Sequence, residues 1–419
     1  MPGLGYLQAN VNNGFIEEYF MPPNPQGNVR YSGQSGPLFN LAFVTGLLTL
    51  VTLGIYRFWA KTRIRKYIWS SVSVDGDGLE YTGNGLEKFL GFLVAMVFLA
   101  VYLAAIQLLL FFIGFSAFTN PDNEIAIIIS IYASFLALIP FILFAIYRSR
   151  RYKLARTRLR GIRFGMDSAA WGYALRAIGH YFLTVITLGI LLPRQTFYLT
   201  KYMTDRSYYG DAKFEQRGRW QALYAALKHV LIGIALIIGG GAVIAAGTVN
   251  NTVALAILGG VVLFVGYFWV MIGFVYYQVR SFAYLASNTV LGDKVGITSS
   301  PSTGEIIKIV LVGGIVLGVA AAVLFAVLGG VFYGVVMTSV GSGQPNILLF
   351  VPIALLYVAV LVALGALGLV MITQPIIAHI ASTLHITNVE ALASIRQRAA
   401  DPGADAEGFA EALDIGGAI

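Results

Sequence analysis

The chain has 419 residues, 58% of them hydrophobic and only 11% charged, with a mean hydropathy of +0.76. Soluble chains are about a quarter charged, so this composition excludes a soluble globular fold and points to a membrane protein. Cysteine is absent, which removes disulfides, thiolate metal sites and cysteine nucleophiles; the net charge of +8 lies beside apolar segments, which fits anionic lipid headgroups or the positive-inside rule and not nucleic acid.

Residues 1–36, with Pro22, Pro23 and Pro25, read as a mobile tail without the basic leader and apolar core of a cleavable signal peptide. Eight apolar stretches follow, at roughly 38–58, 89–115, 125–147, 177–199, 222–247, 253–277, 306–338 and 347–376. All are long enough to span, since about 20 residues suffice, but charge does not let all eight cross. The loop after the first holds Arg57, Lys61, Arg63, Arg65 and Lys66, the loop after the third runs basic from Arg148 to Arg163, and the loop after the fourth from Lys201 to Arg219. By contrast 116–124, 248–252 and 339–346 contain no Lys or Arg.

A crossing by the fourth stretch would put basic loops on opposite sides of the bilayer. Its apolar run Leu183–Leu192 is also only ten residues long before Pro193 and Arg194. It therefore reads as a re-entrant or interfacial element. The first stretch shares its Thr-Leu-Gly-Ile motif (Thr52–Ile55 against Thr187–Ile190) and takes the same role. Three transmembrane hairpins remain, 89–115 with 125–147, 222–247 with 253–277, and 306–338 with 347–376, with every basic loop and the C-terminus in the cytoplasm.

An internal repeat gives the same count. Arg148, Ser149, Tyr152, Thr157 and Leu159 recur at an offset of 132 as Arg280, Ser281, Tyr284, Thr289 and Leu291, and Thr52-Leu53-Gly54 recurs at 135 as Thr187-Leu188-Gly189. The chain divides into the tail 1–36, repeat units 37–172 and 173–303 in parallel orientation, a partial third unit 304–398, and an acidic tail 399–419. Val72–Tyr81 alternates apolar and polar residues around Asp-Gly, the mark of a β-hairpin, with weaker versions at Arg158–Phe164, Ser207–Phe214 and Thr289–Gly296. These short strands are expected to pair into a small cytoplasmic sheet or collar. The expected class is an all-α polytopic membrane protein: six transmembrane helices in three hairpins, two re-entrant or interfacial helices, and short cytoplasmic β-hairpins.

No catalytic constellation emerges. The four histidines (His180, His229, His379, His385) are far apart, and no His-Glu-x-x-His, Gly-x-Ser-x-Gly or Walker motif is present, so no enzyme activity, cofactor or metal is expected. Asp75, Asp77 and Glu80 are spaced like the start of a calcium loop but lack its other ligands, and a turn is the simpler reading. Segment 56–68 repeats Arg57, Lys61 and Arg65 at four-residue spacing opposite Tyr56, Trp59, Ile64, Tyr67 and Ile68, as a basic amphipathic helix would. It is either a topology anchor or a lipid-headgroup site, and Arg150 and Arg151 invite the same two readings.

Gly314, Gly318, Ala322, Ala326, Gly330 and Gly334 form a four-spaced row of small residues, suited to close packing against the eighth stretch, a second protomer or a partner membrane protein. Segments 230–277 and 309–373 contain no Asp, Glu, Lys, Arg or His, so an ion-coupled path through them is disfavoured. His180 and Arg194, in the fourth stretch, are the ionisable candidates near the membrane.

The run Leu47-Leu48-Thr49-Leu50-Val51-Thr52-Leu53-Gly54-Ile55-Tyr56-Arg57-Phe58-Trp59-Ala60-Lys61-Thr62-Arg63, then Tyr81-Thr82-Gly83, and later Thr157–Phe164, resembles the YjgN-like family of bacterial inner-membrane proteins. The likeness covers about 31–390 and implies a bacterial plasma-membrane location, without catalytic residues to carry over. Spans free of charge, re-entrant elements and basic interfacial helices suit a non-enzymatic protein that transports or binds an apolar or amphipathic small molecule or lipid. The alternative is an assembly protein that organises partners through its cytoplasmic turns.

Overall fold

The computed structural model describes residues 26–115, 122–341 and 347–399. The proline-rich start of the expected N-terminal tail, and the acidic tail beyond Ala399, lie outside the described residues. Among the described residues six helical segments are long and apolar enough to cross a membrane. They are α3 (Gly85–Phe112), α4 (Glu124–Ala155), α7 (Tyr224–Val249), α8 (Val253–Ser287), α9 (Thr303–Gly341) and α10 (Ile347–Gly368), the last continuing through a π-turn into α11 (Gln374–Ser382). Two shorter pairs, α1 (Ser35–Val51) with α2 (Arg57–Ser70) and α5 (Ala170–Ile186) with α6 (Leu192–Thr204), occupy the first and fourth apolar stretches.

The all-α expectation is overturned. Ten strands close into an antiparallel barrel in the order β1-β10-β9-β8-β7-β6-β5-β4-β3-β2 and back to β1. They are β1 (Gln26–Tyr31), β2 (Val72–Val74), β3 (Asp77–Tyr81), β4 (Thr157–Leu159), β5 (Ile162–Met166), β6 (Ser207–Tyr209), β7 (Ala212–Gln216), β8 (Thr289–Leu291), β9 (Val295–Ser299) and β10 (Leu384–Thr387). The expected hairpins form, but they are staves of one barrel. Closure needs β1, which falls inside the expected tail, and β10, which pairs with it through Gln26↔Thr387 and Asn28↔His385. Closing the sheet leaves no strand edge unpaired, which is the physical gain over separate hairpins.

Two-residue turns make the β2/β3, β4/β5 and β6/β7 hairpins, and the three residues Gly292–Lys294 make the β8/β9 hairpin. Asp75 and Gly76 both have positive φ (53° and 94°), as do Arg160 and Gly161 (51° and 75°), the mirror-image turn whose twist matches antiparallel strands. Between consecutive hairpins the chain leaves as a pair of helices and returns. One backbone bond ties the two feet of each of the five helical pairs together: the N–H groups of Ser32, Thr82, Asp167, Arg217 and Ser300 donate to the carbonyls of Ser71, Arg156, Arg206, Asn288 and Thr383 respectively, at 2.7–3.2 Å. All five helical pairs therefore rise from one rim of the barrel, and the tight turns form the other.

Inside the barrel, alternate residues such as Val29, Val74, Leu159, Tyr209, Leu291 and Val295 pack into one apolar core. Eight strands enclose a space that side chains just fill; ten enclose more. Val389 and Leu392, on a short 3₁₀ turn (Val389–Ser394) after β10, fill the excess. The next residues cross the turn rim: Arg396 N–H donates to Asp211 Oδ1 (3.0 Å) and Asp211 N–H to the Arg396 carbonyl (2.9 Å). The Tyr209 hydroxyl donates to the Leu159 carbonyl at 3.0 Å, and burial pushes its pKa up, keeping the donor protonated.

The shared Thr-Leu-Gly motif is a helix-reversing turn. Leu53 and Gly54 are left-handed (φ 49° and 92°), as are Leu188 and Gly189 (49° and 86°). Thr52 Oγ1 donates to Leu48 O and accepts from Tyr56 N–H, and Thr187 does the same between Leu183 and Leu191. The apolar tips point outward, with Leu53 94% and Leu188 82% exposed. Helix α1 runs beside α10: Gln374 Nε2 donates to Gly33 O at 3.0 Å, and Gly46 lies against Val362. Over that stretch the two helices are antiparallel neighbours for about 18 Å.

The spans pack loosely except for α7 and α8. Only 6–22% of the residues in their most apolar windows are buried. Along the α7/α8 seam Gly233, Gly240 and Gly247 meet Gly259, Gly266 and Gly273, so close that a Cβ at Gly240 would lie 2.6 Å from Leu263 N. Small residues let helix backbones approach in this way. The four-spaced row on α9 is different: nothing lies within 4 Å of a Cβ built at Gly314, Gly318, Gly330 or Gly334.

A candidate ligand chamber at the barrel mouth

The helix rim of the barrel opens into a chamber. Two adjoining cavities, of about 720 Å³ and 510 Å³, share Arg150, Leu154 and Phe164 and together make up this chamber. Its floor is the barrel mouth, with Phe164, Ser207, Phe214, Thr289, Ile297 and Leu384. Its walls are returning helices, each presenting one face at four-residue spacing. Helix α4 supplies Ile146, Arg150 and Leu154, α6 supplies Thr196, Thr200 and Thr204, α8 supplies Phe274, Gln278 and Phe282, and α2 adds Trp69.

Several lining groups are fixed by the fold. The Tyr277 hydroxyl donates to Thr196 Oγ1 at 2.8 Å. Gln216 is buried and bridges the α8–β8 junction: its Nε2 donates to Leu285 O (3.1 Å) and its Oε1 lies 2.9 Å from Thr289 Oγ1. Hydroxyls recur where helices re-enter the barrel. Ser71, Thr157, Ser207 and Thr289 each donate to the carbonyl four residues earlier, at 2.7–2.8 Å, satisfying a helix end. The sequence carried this signal in Thr157 and Thr289, matched in the repeat, but gave no reason to read them as junctions.

Other lining groups are not so fixed. The buried Gln195 Oε1 has no hydrogen-bond partner among the described residues. The Arg150 guanidinium likewise makes no hydrogen bond or ion pair among them, and the charged side chains in the lining are Arg150 and Lys153, both cations.

The remaining candidates from the sequence lie elsewhere. Arg65 is 4% exposed; its Nη1 donates to the Tyr81 hydroxyl at 3.3 Å, and its guanidinium lies over the rings of Trp69 and Tyr81. Arg57 on the same helix is exposed and Lys61 half-buried, so the three do not form one surface stripe. Arg151 is buried, with Nε donating to Met166 O at 2.8 Å. His180 stacks on Tyr198 at 5.6 Å and Arg194 sits over the same ring at 5.4 Å. Those two meet on the α5/α6 pair, away from the chamber lining. Asp77 and Asp75 face Arg160 across the β3/β4 hairpins at 2.6 Å and 3.8 Å.

The family described as "Bacterial protein of unknown function (DUF898)" matches residues 26–410, from the first barrel strand to beyond the last. The chain belongs to that family. It is also similar to proteins named "Inner membrane protein YjgN". That of Salmonella typhimurium LT2 is 27% identical over 146 residues, which is 34% of this chain and 33% of the relative. That of Escherichia coli O157:H7 is 25% identical over 148 residues, and that of Escherichia coli K12 23% over 149, each alignment again covering 33% of the relative. The match thus spans about a third of the length of these curated relatives. No solved structure matches. With six apolar helices, the family and these relatives support a multi-pass inner-membrane protein.

Proposed function

We propose that this chain is a non-enzymatic inner-membrane protein that binds, and passes between the bilayer and the barrel mouth, an apolar or amphipathic small molecule or lipid. The observation that carries this reading is the chamber, a large space walled by membrane helices and floored by barrel side chains, apolar over most of its lining and polar at α6. Such a mixed surface suits a molecule with an apolar body and a polar end. The charged side chains in its described lining, Arg150 and Lys153, are both cations, which suits a ligand with an anionic or polar end.

In this reading the basic turns and the C-terminus face the cytoplasm, and the α1/α2 and α5/α6 pairs are re-entrant. Their tied feet, exposed apolar tips and the course of α1 beside α10 support that placement. The parallel-repeat reading draws support from element spacing: α5, α6, β6 and β7 each start 135 residues after α1, α2, β2 and β3.

The test is lipid movement between leaflets of liposomes reconstituted with the protein, read by chemical quenching of a fluorescent lipid. The wild type should accelerate exchange, and Thr200→Trp, which fills the chamber, should slow it. Exchange no faster than in empty liposomes, with a stoichiometric partner protein co-purifying, would favour the assembly reading instead.

A further inference from the structure

We infer that Arg150 is the headgroup site of the chamber and that its ligand is an anionic amphiphile, held by a carboxylate or phosphate at the guanidinium with its acyl chain against Phe274 and Phe282. The inference rests on the chamber-binding reading and adds the ligand's charge and pose.

A cation held among apolar groups is costly unless it is paired. The nearby cations that lie outside the lining have partners: Arg151 on Met166 O, Arg156 on Glu87 at 2.9 Å, and Arg160 on Asp77. Arg150 has no such bond among the described residues, yet it lies between Ile146 and Leu154 on the face of α4 that lines the chamber. Its planar fork of donors matches the two oxygens of a carboxylate or phosphate.

The surroundings choose an amphiphile over a small ion. A free anion would gain little from the aromatic wall of α8, whereas an acyl chain buries apolar area against it. The Thr196–Thr200–Thr204 row on α6 offers neutral hydroxyls to the polar end of the same ligand.

The experiment uses the full chain in a neutral detergent, with the fluorescent fatty acid cis-parinaric acid, its uncharged alcohol analogue, and inorganic phosphate as competitor. The wild type should bind the acid. Arg150→Gln should weaken acid binding by about tenfold or more, as expected for loss of a hydrogen bond to a charged group, while leaving the alcohol within about twofold; Arg150→Lys should recover part of the loss. Unchanged thermal midpoints establish that the variants are folded, and if Arg150→Gln does not fold, the comparison is made with Arg150→Lys and the acid against the alcohol on the wild type. Equal affinity of wild type and variant for the acid, or of the wild type for acid and alcohol, would overturn the assignment of charge. Displacement of the acid by millimolar phosphate would overturn the amphiphile in favour of a small-anion site. Failure of the wild type to bind either probe would overturn the chamber reading itself.

Discussion

Gly240 and Gly259 face each other across the α7/α8 seam so closely that a Cβ on either would lie within 2.9 Å of the other's carbonyl oxygen. This seam is the one tight helix–helix contact among the described spans, and it holds α8 where it walls the chamber. Gly240→Leu is expected to force the helices apart and cost about 3 kcal/mol or more, at the upper end for overpacking. Gly241→Leu, one residue on, has open space around it and should leave the thermal midpoint in detergent almost unchanged. Equal losses from both variants would mean that the seam is not a structural anchor.

The barrel core makes a second prediction. Leu392 comes from outside the ten strands but is buried in their midst. Leu392→Ala should destabilise the protein by about 2–5 kcal/mol, the usual range for a buried leucine truncated in a packed core. Chemical denaturation followed through tertiary signals is the check. A loss below about 1 kcal/mol would show that the segment after β10 is a loose cover and not part of the core.

The cross-hairpin pair Arg160–Asp77 should matter much less. Both side chains are partly exposed, and exposed ion pairs contribute about 0–1 kcal/mol. Arg160→Ala should therefore fall in that range, because register is fixed by the closed barrel and its core. A larger loss in a double-mutant cycle with Asp77→Asn would assign the pair a structural role.

Sidedness supplies a fourth prediction, made easy by the absence of cysteine. Asp293 lies in the turn between β8 and β9 and Asn250 in the turn between α7 and α8, at opposite ends of α8. A cysteine at Asp293 should react with a membrane-impermeant maleimide only after the cytoplasmic face is opened, and one at Asn250 in intact spheroplasts. A nitroxide at Leu188 should be relaxed by oxygen and not by a water-soluble nickel complex. Strong relaxation by nickel would place the α5/α6 tip in water and remove the re-entrant assignment.

The six long helices were legible because each carries a run of apolar residues longer than a soluble core requires. The barrel was not. Its strands are three to six residues long, enough for one or two alternations, and their partners are remote: Tyr81 pairs with Thr157 and Gln26 with Thr387. The turn signal at Asp75-Gly76 was readable because it is local, whereas closure depends on β1, whose Gln-Gly-Asn-Val-Arg-Tyr shows little apolar pattern.

Helix packing within the chain was legible only in part. The four-spaced glycines of α9 stood out, but the seven-spaced glycines of α7 and α8 make the close contact, and spacing alone does not reveal which helix lies opposite. Arg65 shares its spacing with Arg57 and Lys61, yet Trp69 and Tyr81 enclose it. Arg150 was legible as one of a basic cluster; what sets it apart from Arg151 is the direction of its side chain, which needs the helix to be placed against α6 and α8.

The central claim, that the barrel mouth holds a chamber occupied from the bilayer, is tested most directly by photolabelling. The protein would be reconstituted with a lipid carrying a diazirine in its acyl chain, irradiated, and its adducts mapped by mass spectrometry. Adducts are expected on chamber residues of α6 and α8, including Thr200, Phe274 and Phe282, and should disappear when Thr200→Trp fills the space. Adducts confined to outward positions such as Phe98, Phe135 and Val185, with the chamber residues unlabelled, would contradict it.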